Sequence, residues 1–154
     1  MSISRADELR LLVSVAEAPL RVLDDADVDA FRGDGAWTKR QILGHLVDST
    51  ATNHQRFVRA QFEDELHFPP YDAPGWVVVE RYDLASWSLL IDVWVAYARL
   101  LGHILDVMPE PQLATPVWVD WYGEPKPITL SEVIDAYLDH VRHHLAQLIP
   151  APEV

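Results

Sequence analysis

Asp139-His140-Val141-Arg142-His143-His144 places three of the chain's seven histidines within five residues. The stretch lies in a run whose apolar residues recur at helical spacing. Leu130, Val133, Ile134, Tyr137, Val141 and Leu148 share one face when each residue turns the helix by about 100°. His144 falls inside that face, His140 on its edge, and His143 well round toward solvent. His140 and His144 are four residues apart, so on a helix they stack one turn above the other and can grip one ion. A buried imidazole must satisfy both ring nitrogens. Metal ligation is one answer, because neutral imidazole is a common ligand for zinc, iron and nickel. A hydrogen-bonded core pair is the other. Thr129, with Glu132 three residues later, forms a capping box where this helix begins.

A second helix is predicted from about Trp37-Thr38, where Thr38 precedes Lys39-Arg40-Gln41 in another capping-box arrangement, to about Glu65. Ile42, Leu46, Ser49, Asn53, Phe57 and Ala60 form one stripe at helical spacing. Ser49 and Asn53 are polar within it, which suggests a lined pocket rather than dry packing. His45, Thr52 and Arg56 lie along one flank, and His45 can supply a third ligand to the His140/His144 pair. Asp48, nearly one turn after His45, can orient a ligand by hydrogen bonding or stand in solvent. His54 is expected off the pocket stripe, His67 in a loop and His103 on a solvated helix face.

The remaining helices complete a bundle. The first runs from the N-cap candidate Ser4 toward Leu23, with Pro19 predicting a kink or two short pieces. Residues 24–35 are acidic and turn-rich. The third helix spans about Ser86 to Met108, with Trp87, Leu90, Ile91, Trp94, Ala98, Leu101 and Leu105 at core spacing. Two long irregular segments separate helices two, three and four. The first, residues 67–85, carries Tyr71, Asp72 and Trp76; its aromatics either close over a site or simply tack the loop to the bundle. The second, residues 109–128, is proline-rich and holds an extended-looking run from Val117 to Gly123.

Composition narrows the function classes. A chain of 154 residues, 49% hydrophobic with six Trp, is expected to be a single domain over 1–154 with a real core. It has no cysteine, which rules out disulfides, cysteine-ligated zinc and a cysteine nucleophile. No apolar run reaches the roughly 18 to 20 residues of a membrane span, and the N-terminus lacks a secretory stretch. The cytoplasm is therefore the expected location. The formal charge of −12, from 24 acidic and 12 basic side chains, disfavours nucleic acid and anionic membranes as partners. His-Glu-x-x-His chemistry is excluded because Val141 stands where the general-base Glu would be. Ser49 has no Gly-x-Ser-x-Gly elbow, and no glycine-rich phosphate loop occurs.

The run Trp37-Thr38-Lys39-Arg40-Gln41-Ile42-Leu43-Gly44-His45-Leu46-Val47-Asp48-Ser49, followed by Arg56-Phe57, resembles the second helix of DinB-like proteins. It is most similar to their YfiT branch, described as candidate metal-dependent hydrolases and related to bacillithiol S-transferases. Pro70-Tyr71-Asp72 with Trp76 resembles the following loop, and Thr129-Leu130 leading into His140 and His144 resembles the final helix. Gly44 stands where some relatives have a second histidine. The resemblance covers about residues 37–149 and implies an all-α four-helix bundle with a crossover connection, usually a homodimer. It further implies a divalent metal (zinc, nickel or iron) held by His45, His140 and His144. The implied reaction transfers a low-molecular-weight thiol, such as bacillithiol or mycothiol, to a small electrophile. Asn53, Arg56 and Tyr71 are then candidates to grip this small-molecule substrate. A hydrolase using the same site, with Asp48 as the only nearby candidate base, is one alternative; a non-catalytic metal- or ligand-binding stress protein is another.

Overall fold

The computed structural model describes residues 2–150. Four long helices form the bundle: α1 (Arg5–Arg21), α3 (Lys39–Arg59), α5 (Trp87–Val107) and α6 (Leu130–Leu148). Each starts on a hydroxyl cap: Ser4, Thr38, Ser86 and Thr129 accept from backbone amides in the first turn. Around the ring the order is α1-α5-α3-α6. The chain therefore crosses diagonally between α1 and α3, and again between α5 and α6, and only α3 and α5 are neighbours in both sequence and space. Trp94, Phe57, Leu9, Leu20, Ile91 and Leu101 are among the fully buried side chains at the centre.

The helix boundaries differ from expectation in four places, each for a local reason. First, α1 runs through Pro19 as one element, since the proline sits in its final turns and removes only one intrahelical bond. Second, α3 ends at Arg59 rather than near Glu65. Its last carbonyls are taken by the Ala60, Gln61 and Phe62 amides, and the acidic Glu63-Asp64-Glu65 would oppose the negative end of the helix dipole. Third, the acidic segment after α1 contains a short helix, α2 (Asp25–Val28), closed by a capping box between Asp24 and Asp27. Arg40, buried at the start of α3, ties it down through Asp25 and Asp29 at 2.8 and 2.7 Å.

The fourth difference concerns the segments expected to be irregular. Residues 67–85 contain α4 (Ala73–Val79), which begins on an Asp72 cap with Pro74 in its first turn. After α5, strands β2 (Pro116–Val119) and β3 (Lys126–Thr129) form a hairpin, and β1 (Leu66–His67) adds to β2 in parallel. This small sheet follows α3 and leads directly into α6. It thus pins the C-terminal end of one helix beside the start of the other.

Helix α5 is long and apolar enough to cross a membrane by length and composition alone. One face is buried through Trp94, Ala98 and Leu101, while Asp92, Arg99 and Asp106 on the other pair with Arg21, Glu17 and Arg10 of α1. That is the pattern of a bundle's central helix.

Gly44 sits beneath the ring of Tyr82, and a Cβ there would lie 2.3 Å from the ring. Alanine in a helix interior is ordinarily worth about 1 kcal/mol over glycine, but forcing a ring out of place costs about 1–3 kcal/mol. Gly44→Ala is therefore expected to lower stability by about 1 kcal/mol, the middle of the resulting range, read as a lower urea midpoint with an unchanged slope. An unchanged or raised midpoint would show that Tyr82 swings aside freely.

Candidate metal centre

Helix α3 contributes His45 and helix α6 contributes His140 and His144, and the three Nε2 atoms converge. His140 Nε2 lies 3.0 Å from His45 Nε2 and 3.1 Å from His144 Nε2. The three ligand atoms all fall within 4.8 Å of one another. Nitrogens bound at 2.0–2.1 Å to one tetrahedral ion are about 3.3 Å apart, so the triad is close to ligating geometry.

Each ring is held from behind through Nδ1. Tyr71 Oη is 3.3 Å from His45 Nδ1, Ser49 Oγ is 3.2 Å from His140 Nδ1, and Gln147 Oε1 accepts from His144 Nδ1 at 2.7 Å. With its Nδ1 donating to Gln147, His144 turns the Nε2 lone pair inward. Where the Tyr71 and Ser49 hydroxyls accept from Nδ1 as Gln147 does, three lone pairs face one point and repel unless a cation lies between them. Such backing of the far ring nitrogen is how metal-ligating histidines are oriented. Burial pushes the His140 pKa down to about 3 and that of His45 to about 4, with neighbouring imidazoles adding to both. Burial lowers His144 as well, opposed by Gln147. The rings are therefore neutral near pH 7, the form that binds metal. The donor set fits a divalent ion, with a coordination position left over for a small molecule.

His45 and His140 of the triad line a cavity of about 410 Å³ between α3 and α6. Ser49, Asn53 and Arg56 continue along its α3 wall, Tyr71 and Pro70 come from the segment after β1, and Asp120 and Trp121 from the β2–β3 hairpin. Asn53, Arg56 and Tyr71, the candidates for substrate contact, thus share one cavity with His45 and His140.

Asp48 faces elsewhere. Its Oδ1 accepts from the Tyr82 hydroxyl at 2.5 Å, its Oδ2 is buried without a partner, and burial raises its pKa to about 7. Tyr71, not Asp48, stands behind His45. Of the other histidines, His54 pairs with Tyr97 Oη at 2.7 Å and His67 stacks on Trp118, while His103 and His143 are exposed. Sequence reasoning did not find Gln147, three residues after His144, or Trp37, whose ring packs 4.8 Å from that of His45. The i,i+3 spacing of His144 and Gln147 on one helix was the available signal.

Residues 9–148 match the DinB superfamily. The chain belongs to it. Among curated relatives, the "Putative metal-dependent hydrolase YfiT" of Bacillus subtilis is 26% identical, over 96% of this chain and 85% of that protein. A protein given the same general description in Oceanobacillus iheyensis is 27% identical, over 82% of this chain and 71% of its own length. The solved structure of YfiT from Bacillus subtilis, described as "a probable metal-dependent hydrolase with an unusual four-helix bundle topology", superposes with a TM-score of 0.78 at 25% identity. That superposition covers 96% of this chain and 86% of YfiT. The diagonal crossings of this DinB-superfamily bundle accord with that description.

Proposed function

We propose that this protein is a metal-dependent enzyme that transfers a low-molecular-weight thiol to a small electrophile. The observation that carries the reading is the convergence of three neutral imidazoles, two of them on the wall of a cavity, with no carboxylate contacting the triad among the described residues. A divalent ion held by His45, His140 and His144 supplies Lewis acidity, lowering the pKa of a thiol or water presented to it.

The two nucleophiles demand different help from the chain. A free thiol ionises at about 8.5 and water on such an ion at about 7, so either nucleophile forms near neutral pH, and hydrolysis differs in needing a group of the chain to pass a proton to the leaving group. Asp48 is turned toward Tyr82, and Asp120 is exposed at the hairpin end. Ser49 and Tyr71 hold ring nitrogens of the triad. A thiol can give its proton to solvent through the cavity mouth. Its sulfur pair then forms the C–S bond as the bond to the leaving group breaks, and the leaving group departs with that pair. Pro70, Ala73, Ala136 and Trp121 supply an apolar surround for the electrophile.

Hydrolysis is the second reading, favoured by the description of the curated relatives. The deciding experiment loads metal-depleted protein with zinc or nickel and follows two reactions side by side. One is conjugation of chlorodinitrobenzene with a panel of small thiols; the other is hydrolysis of p-nitrophenyl acetate without thiol. Metal-dependent conjugation that saturates in thiol supports transfer. Thiol-independent hydrolysis alone supports the second reading, and metal binding without either reaction points to a binding protein.

A further inference from the structure

His45 and His140 take up only part of the cavity wall. Arg56 lies eleven residues after His45 on α3, which is about 16 Å along the helix axis and, at about 100° per residue, nearly the same face. It lines the cavity with no carboxylate at ion-pair distance among the described residues. Its Nη1 reaches Asn53 Oδ1 only at 3.5 Å, and its Nε is buried with no partner. The rings of Phe68 and Trp121 lie 5.1 and 5.5 Å from the guanidinium carbon, screening the charge from water without neutralising it. Arg40, the buried arginine at the other end of α3, has two aspartates instead.

From this arrangement we infer that the substrate carries a single carboxylate, bound by Arg56 at the end of the cavity away from the three histidines. The inference deepens the proposed function and rests on it for the reacting end of the substrate. A half-buried cation without an ion-pair partner among the described residues is costly to maintain, and a carboxylate arriving there forms charge-assisted hydrogen bonds with donors that the protein leaves largely idle. A monoanion fits better than a phosphate dianion because Asp120 lines the same cavity and Arg56 is the single cation lining it among the described residues. A substrate that spans both ends has its reacting atom no more than about 16 Å from its carboxylate.

The test uses isothermal titration with phenylbutyrate and its uncharged isostere phenylbutyramide. The protein as purified is expected to bind the acid about tenfold or more tightly than the amide, as one charge-assisted pair would give. Arg56→Gln should remove the preference, and Arg56→Lys should keep part of it. Asp120→Asn should strengthen it. Because a carboxylate can also bind a metal, the titrations are repeated in His140→Ala, where the acid preference should persist. Equal binding of acid and amide, no saturable binding of the acid, or a preference that survives Arg56→Gln would overturn the inference. Thiol transfer is measured separately, so its absence would remove the proposed reaction without touching this result.

Discussion

His140→Ala is expected to yield a folded protein that holds no stoichiometric divalent metal. His140 is the middle member of the triad, the one whose Nε2 is within 3.1 Å of both others. Without it, His45 and His144 remain as two ligands from different helices, too few for a tetrahedral site with one open position. The loss should exceed the roughly 10- to 100-fold weakening that follows removal of a residue backing a ligand. Ser49→Ala, which removes the group behind His140 Nδ1, supplies that milder comparison. The fold should survive because the central apolar side chains, from Leu9 through Trp94 to Leu138, are buried independently of the triad. Elemental analysis of the untagged variants beside the parent, with circular dichroism for the fold, makes the measurement. One metal per chain in His140→Ala would remove the site from consideration. An unfolded variant would instead show that the histidines are structural.

Acid should destabilise the metal-free protein well before its surface carboxylates titrate. His45 and His140 have folded pKa values near 4 and 3 against about 6.5 in the unfolded chain. Between those values the unfolded state binds more protons, so stability is fully present above pH 6.5 and is lost as the pH falls toward 4. Asp48 works in the opposite sense. Its folded pKa near 7 exceeds the unfolded value, so protonation below 7 adds stability down to about 4. One carboxyl set against His45 and His140 leaves a net loss on the order of 1–2 kcal/mol at pH 5, and the lowered His144 acts in the same direction. Urea midpoints at pH 7.5 and pH 5 check this, with Asp48→Asn showing the steeper decline. A midpoint that rises on acidification would mean that the triad is already protonated, or open to water, at neutral pH.

Much of the bundle could be read from apolar spacing and caps. The Thr38–Gln41 and Thr129–Glu132 boxes mark where α3 and α6 begin, and the Trp87–Leu105 stripe marks α5. The structure also brings His45 to the His140/His144 pair, as their faces on the two helices suggested. What escaped was set by tertiary contact rather than local pattern. α4 has a readable Asp72-Ala73-Pro74 start, but its short apolar run gives no full helical period. β1 is two residues long and becomes a strand only because β2 lies beside it. The Asp48–Tyr82 bond joins residues 34 apart, and helical facing alone could not separate it from a role behind His45.

The spacing of the histidines along the chain has a final consequence. His45 and His140 are 95 residues apart, and the protein contains no cysteine. An ion joining them closes a loop of most of the chain, a cross-link of the same topological kind as a disulfide. Loop-closure entropy values such a link at about 4.7 kcal/mol. Because the contact joins distant segments, its benefit should fall on the unfolding rate more than on the folding rate. Occupancy of the centre would thus set how long the bundle persists once folded, making metal supply a determinant of the protein's lifetime as well as of its chemistry.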